Sequence, residues 1–105
     1  MTDHIKTPQD CITMAEVRNG VDDTDRKLVT LLESRFAYMR AAARIKTDRN
    51  AVRDELRKSV VIEAVRKQSI KVGLPSDELA AIWDALVETS IAYETREWDR
   101  LRAKK

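Results

Sequence analysis

Residue types that most often carry chemistry are scarce in this chain of 105 residues: one cysteine, one histidine, two glycines and two prolines. A lone Cys11 rules out an intrachain disulfide and makes a reducing compartment, hence the cytoplasm, the default expectation. It also has no base near it in sequence, so it reads as a small apolar contact rather than a nucleophile. His4 stands without a second ligand type beside it, and no metal site is expected there. No Ser–His or Cys–His pairing, glycine-rich phosphate loop or metal-ligand cluster occurs, and no cofactor is expected. Any chemistry must therefore run on electrostatics and shape. No stretch approaches the roughly 20 apolar residues of a membrane span, and the opening MTDHIKTPQDC has no apolar run that reads as a secretory signal. A net charge of +2 is too weak to argue for nucleic acid, and the terminal RLRAKK reads as a frayed, solvated helix end. No segment reads as a strand.

What remains is the composition of a helical bundle, 43% hydrophobic and 36% charged. The length fits a single domain, so the expected class is all-α. Residues 1–12 read as an arm, since Pro8 favours extended or turn backbone. A long helix is expected over 13–46. Thr13 and Glu16 form a capping box at its start, and apolar residues recur at Met14, Val17, Val21, Leu28, Leu31, Leu32, Met39, Ala42 and Ile45. Such a rod is roughly 50 Å long, whereas a compact chain of this size has a radius of gyration near 13 Å. The rod overhangs its own domain, and a second copy of the chain is the simplest cover for the overhanging stripe. A polar joint with the capping residues Asp48 and Asn50 follows, then a second helix over about 51–71. Gly73 and Pro75 stop it. Ser76 is the expected cap of a third helix running to about Arg102.

Charges interrupt the apolar seams. Arg18, Asp25 and Arg35 lie on or beside the packed face of the first helix, and Glu94 lies on that of the third. One reading is a salt-bridge network that fixes helix register, with Arg18 or Arg35 paired to Asp25 or Glu94. The other is a polar pocket inside a bundle. Counting Lys46 and Arg57 at the joint, cations outnumber acids, which suits a ligand bearing carboxylates.

The run VRNGVDDTDRKLVTLLESR, with Lys46 eleven residues after Arg35, resembles the all-helical chorismate mutases and the related isochorismate-pyruvate lyases. Arg53-Asp54, Arg57, Ser90 and Glu94 extend the similarity over nearly the whole chain. The ends KTPQDC and IAYETREW look more like the lyases, and VRDELRK more like the mutases. The resemblance implies an intertwined homodimer of three helices per chain, with residues 13–105 as the mutase-like domain. It implies that Arg18 reaches the site of the opposite chain, that Arg35 and Arg57 join it in holding two substrate carboxylates, and that Lys46 faces the ether oxygen of the bond that breaks. Ser90 and Asp54 are expected to bind substrate. The ligand would be a small dicarboxylate, chorismate or isochorismate, with no nucleic acid or membrane partner.

Two positions depart from the family pattern. Glu94 stands where glutamine is common, beside the ether oxygen. It can donate a hydrogen bond there only when protonated, so activity should rise as pH falls. Lys58 stands where mutases usually carry a glutamate for the ring hydroxyl, a role that Asp54 could partly cover. A non-enzymatic dimerisation module, its inner charges serving only register, is the remaining alternative.

Overall fold

The computed structural model describes residues 5–103, so His4 lies outside the described residues. Three α-helices carry the fold: α1 over Met14–Ile45, α2 over Glu55–Lys71 and α3 over Ser76–Leu101. Among the described residues there is no strand, and the chain is all-α. No helix is long and apolar enough to cross a membrane. Two compact units divide the chain, Met1–Phe36 and Ala37–Lys105, with the division falling inside α1.

In the first unit the arm makes a short 3-10 turn over Pro8–Asp10. Proline suits its first position, where no N–H is needed. The expected capping box is present. Glu16 N–H donates to Thr13 Oγ1 at 3.2 Å, and Thr13 N–H donates back to Glu16 Oε1 at 3.1 Å. Glu16 also accepts from Ile12 N–H at 2.9 Å and pairs with Lys6, which ties the arm to the first turn of α1. The Lys6 ammonium, with help from the Ile12 amide, lowers the Glu16 carboxyl to about 2. Beyond this turn the apolar stripe of α1 stays open: Val21, Leu28 and Leu31 are 52%, 49% and 66% exposed.

The second unit holds the core. Ala43, Val52, Ala80 and Val87 are buried there. The α2–α3 pairing runs from Arg66–Asp77 beside the turn to Arg53–Glu88 at the far end, so the two helices are antiparallel. α2 closes on a glycine stop. Gly73 takes φ 80°, Leu74 N–H donates to Ser69 O at 2.8 Å, and Gly73 N–H donates to Ile70 O at 3.2 Å. These are the two bonds of a Schellman closure, which favours glycine at its left-handed position.

Two helix starts differ from the sequence expectation. α2 begins at Glu55, not near residue 51, because a 3-10 turn over Arg49–Ala51 intervenes. Asp48 caps that turn by accepting from Asn50 N–H at 2.9 Å, and its close leaves Val52 buried. The cap of α2 itself is Asp54, whose Oδ1 accepts from Arg57 N–H at 3.0 Å. At α3 the cap position is Pro75, and Ser76 is already helical.

Candidate active site

Glu94 and Lys46 form the centre of the site. Lys46 follows the last residue of α1, and its N–H still donates to Ala42 O at 2.9 Å. Its ammonium lies 2.8 Å from Glu94 Oε2. Glu94 is 4% exposed and is the one buried acid among the described residues. No hydrogen bond of favourable direction reaches its Oε2, so the Lys46 contact is an ion pair by distance and not a well-aligned bond. A desolvated carboxylate held by one ammonium is costly unless something further satisfies it. Lys46 has three N–H donors, and contact with Glu94 leaves capacity for another acceptor.

Ser90 sits one turn before Glu94 on the same buried face of α3. Its Oγ donates to Leu86 O at 2.7 Å, a back-bond within the helix that lets a hydroxyl be buried without loss. Asp54 and Arg57 share the N-terminus of α2. Both are exposed, and one Asp54 oxygen is committed to the helix cap.

Arg18 and Arg35 belong to the first unit. Arg35 is half-buried and engaged. Arg18 and Asp25 are exposed in the single chain, beside the open apolar stripe for which the sequence reading expected a second copy as cover. Glu94, one of the two acids expected to pair with Arg18 or Arg35, has an ion-pair partner in Lys46. A cavity of about 580 Å³ lies under the arm, bounded by Ile5, Pro8, Cys11, Val17 and Val21 among others, and it contains none of the expected site residues.

Lys58 does not stand free to disturb a ligand. Its ammonium bonds Glu88 at 2.7 Å and Asp84 at 2.9 Å. Arg53 grips the same Glu88 with two bonds, of 2.6 and 3.1 Å. Arg53 first and Lys58 second lower the Glu88 carboxyl to about 2, and bonding to Glu88 and Asp84 raises the Lys58 ammonium above its ordinary range. The substitution that departs from the family pattern thus serves as a tie between α2 and α3.

Sequence reasoning placed the end of α3 but missed what its last residues hold. Arg102, read as part of a frayed tail, donates to Ala43 O at 3.0 Å and to Lys46 O at 2.7 Å. Trp98 Nε1 donates to Lys46 O at 3.0 Å. The available signal was the lack of any glycine after Ile45 to close α1.

Residues 17–95 match the chorismate mutase type II family. An isochorismate pyruvate lyase of Pseudomonas aeruginosa is 26% identical over 98 residues, which cover 93% of this chain and 97% of that protein. With about three quarters of its length matched and an all-helical fold of three helices, the chain belongs to the chorismate mutase type II family.

Proposed function

We propose that the chain is a chorismate mutase, converting chorismate to prephenate. The observation that carries this reading is the buried Glu94 set 2.8 Å from the Lys46 ammonium. An ether oxygen placed beside Lys46 meets a donor that stabilises negative charge as the carbon–oxygen bond breaks. Arg18 of the partner subunit, with Arg35 and Arg57, holds the two carboxylates. Ser90 and Asp54 complete the binding surface. The reaction is a rearrangement within one bound molecule. One C–O bond breaks as one C–C bond forms, with no covalent intermediate and no proton transfer, so selecting a compact conformer supplies much of the acceleration. The lone Cys11 fits a cytoplasmic setting.

A homodimer is part of the proposal. Met14, Val21, Leu28 and Leu31 are exposed along α1, and each such side chain contributes about 1.5–3 kcal/mol when fully covered. A second copy laid along α1 covers this stripe and delivers the borrowed Arg18.

Isochorismate-pyruvate lyase activity, feeding salicylate formation, is the second reading. The relative matched over nearly its whole length favours it, as do the lyase-like ends of the chain. Both reactions break the bond to the enolpyruvyl ether oxygen, so the same cations serve either. Incubating the purified protein with chorismate and, separately, with isochorismate distinguishes the two. Prephenate supports the mutase, and pyruvate with salicylate supports the lyase. Neither product from folded protein returns the chain to a non-catalytic dimerisation module.

A further inference from the structure

α1 ends without the glycine that closes α2, and its last carbonyls are satisfied from the far end of the chain. Arg102 Nη1 donates to Ala43 O at 3.0 Å, while Nη2 donates to Lys46 O at 2.7 Å and more distantly to Arg44 O at 3.4 Å. The guanidinium lies over the Trp98 ring, 4.2 Å from its centroid. The indole N–H adds a second bond to Lys46 O, at 3.0 Å. A cation at a helix C-terminus also meets the negative end of the macrodipole. Glu94, Trp98 and Arg102 follow one another at intervals of four residues and so share one face of α3. That single stripe holds Lys46 twice, by its ammonium through Glu94 and by its carbonyl through Trp98 and Arg102. Just beyond, Arg49 and Asp99 join with two bonds of 2.8 and 3.0 Å and fix the path of the chain leaving Lys46.

We propose that Trp98 and Arg102 are positioning residues for Lys46: they clamp its backbone so that its ammonium is held at the reacting oxygen. The proposal rests on the reading of Lys46 as the group facing that oxygen. Lysine is flexible, and a misplacement near 1 Å at a reacting centre can cost about 100-fold in rate. A clamp on its main chain fixes the base from which the side chain reaches, while Glu94 holds its tip.

The test uses Arg102→Ala and the milder Trp98→Phe, which keeps an aromatic ring beside the guanidinium while removing the indole N–H and shrinking the bicycle to one ring. Arg102→Ala should lower kcat tenfold or more and Trp98→Phe roughly threefold, with KM within twofold of wild type, the pattern of a lost transition-state interaction. In a Lys46→Ala background the same changes should cost less than twofold, because they act through a side chain already gone. Losses that multiply in that background, or an unchanged kcat, would overturn the proposal. An NMR measurement on the ε-methylene of Lys46 needs no turnover. The signal should be ordered in wild type and averaged, like that of a solvated lysine, in Arg102→Ala. An equally ordered signal in Arg102→Ala and Trp98→Phe contradicts the clamp. Should wild type convert neither chorismate nor isochorismate, the functional reading fails, and the NMR result alone decides the clamp.

Discussion

The two units of this chain differ in whether they hold a core. In Ala37–Lys105, α2 and α3 pair around small buried residues, and the half-buried Lys58 and buried Glu94 have ion-pair partners, although Leu56, Val60 and Ile70 stay exposed. In Met1–Phe36 the arm is tied to the first turn of α1, no described residue is buried, and Met14, Val21, Leu28 and Leu31 stay open with Arg18 beside them. The same helix serves both units, with Ala43 buried in the second and Val21, Leu28 and Leu31 open in the first. Burial in the second unit is what makes the Lys46–Glu94 pair chemically special, because a charge in a dry setting acts more strongly on its neighbours than one in water. Exposure in the first unit is what a chain needs if it completes its site with a copy of itself.

The largest effect should come from breaking that second assignment. Glutamate in place of both Val21 and Leu28 puts like charges on the open stripe. Sedimentation should then show monomers, and turnover should fall to the uncatalysed rate. A fully active monomer would detach the site from the dimer. Next is Lys46→Ala, which removes the donor at the ether oxygen. Loss of one such donor lowers kcat by about 100- to 1,000-fold, and the melting temperature should fall as well, because Glu94 is left buried without its ammonium. Arg35→Ala sharpens the contrast further. A site role predicts lost turnover in a folded protein, whereas a register role predicts lost folding.

Glu94→Gln tests the chemistry inside the dry unit. The amide can donate a hydrogen bond to the ether oxygen and puts no negative charge beside it, so a folded Glu94→Gln variant should have a higher kcat than wild type. Unchanged kcat and KM in that variant would remove Glu94 from the reacting centre. Acid should loosen both units through their tied carboxyls. Glu88 and Glu16 are each lowered from 4.5 to about 2 in the folded chain. Such groups contribute stability that is fully present above 4.5 and lost as pH falls toward 2. Urea midpoints should decline across that window, and Glu88→Gln should make the decline shallower. The smallest effect belongs to Gly73→Ala. A Cβ there meets nothing within 4 Å, but φ is +80°, so the cost is conformational alone, about 1 kcal/mol. A chain of this length would lose about 4–8 °C in melting temperature.

How much of this was legible in the sequence follows from how local each signal is. The Thr13–Glu16 box and the Gly73 stop are written within a few residues, and both stand where expected. The start of α2 was not legible, because Asp48, Asn50 and Asp54 are all good caps. The choice among them came with the burial of Val52 in the second unit. The inward aim of Glu94 was legible from its spacing to Ser90 and Trp98. Its pairing with Lys46 was not, because it joins positions 48 residues apart. Arg102 was misread for the same reason: nothing near it in sequence reveals the carbonyls of α1 that it serves.

The central claim is that Lys46, held against Glu94, drives cleavage of an enolpyruvyl ether. Its most direct test is turnover of chorismate and isochorismate by the purified wild type beside Lys46→Ala, with products identified and folding checked in the same samples. Prephenate from wild type, and at least a 100-fold loss in a folded Lys46→Ala, is the expected result. Folded wild type that leaves both substrates unchanged, or a Lys46→Ala variant as fast as wild type, would contradict it.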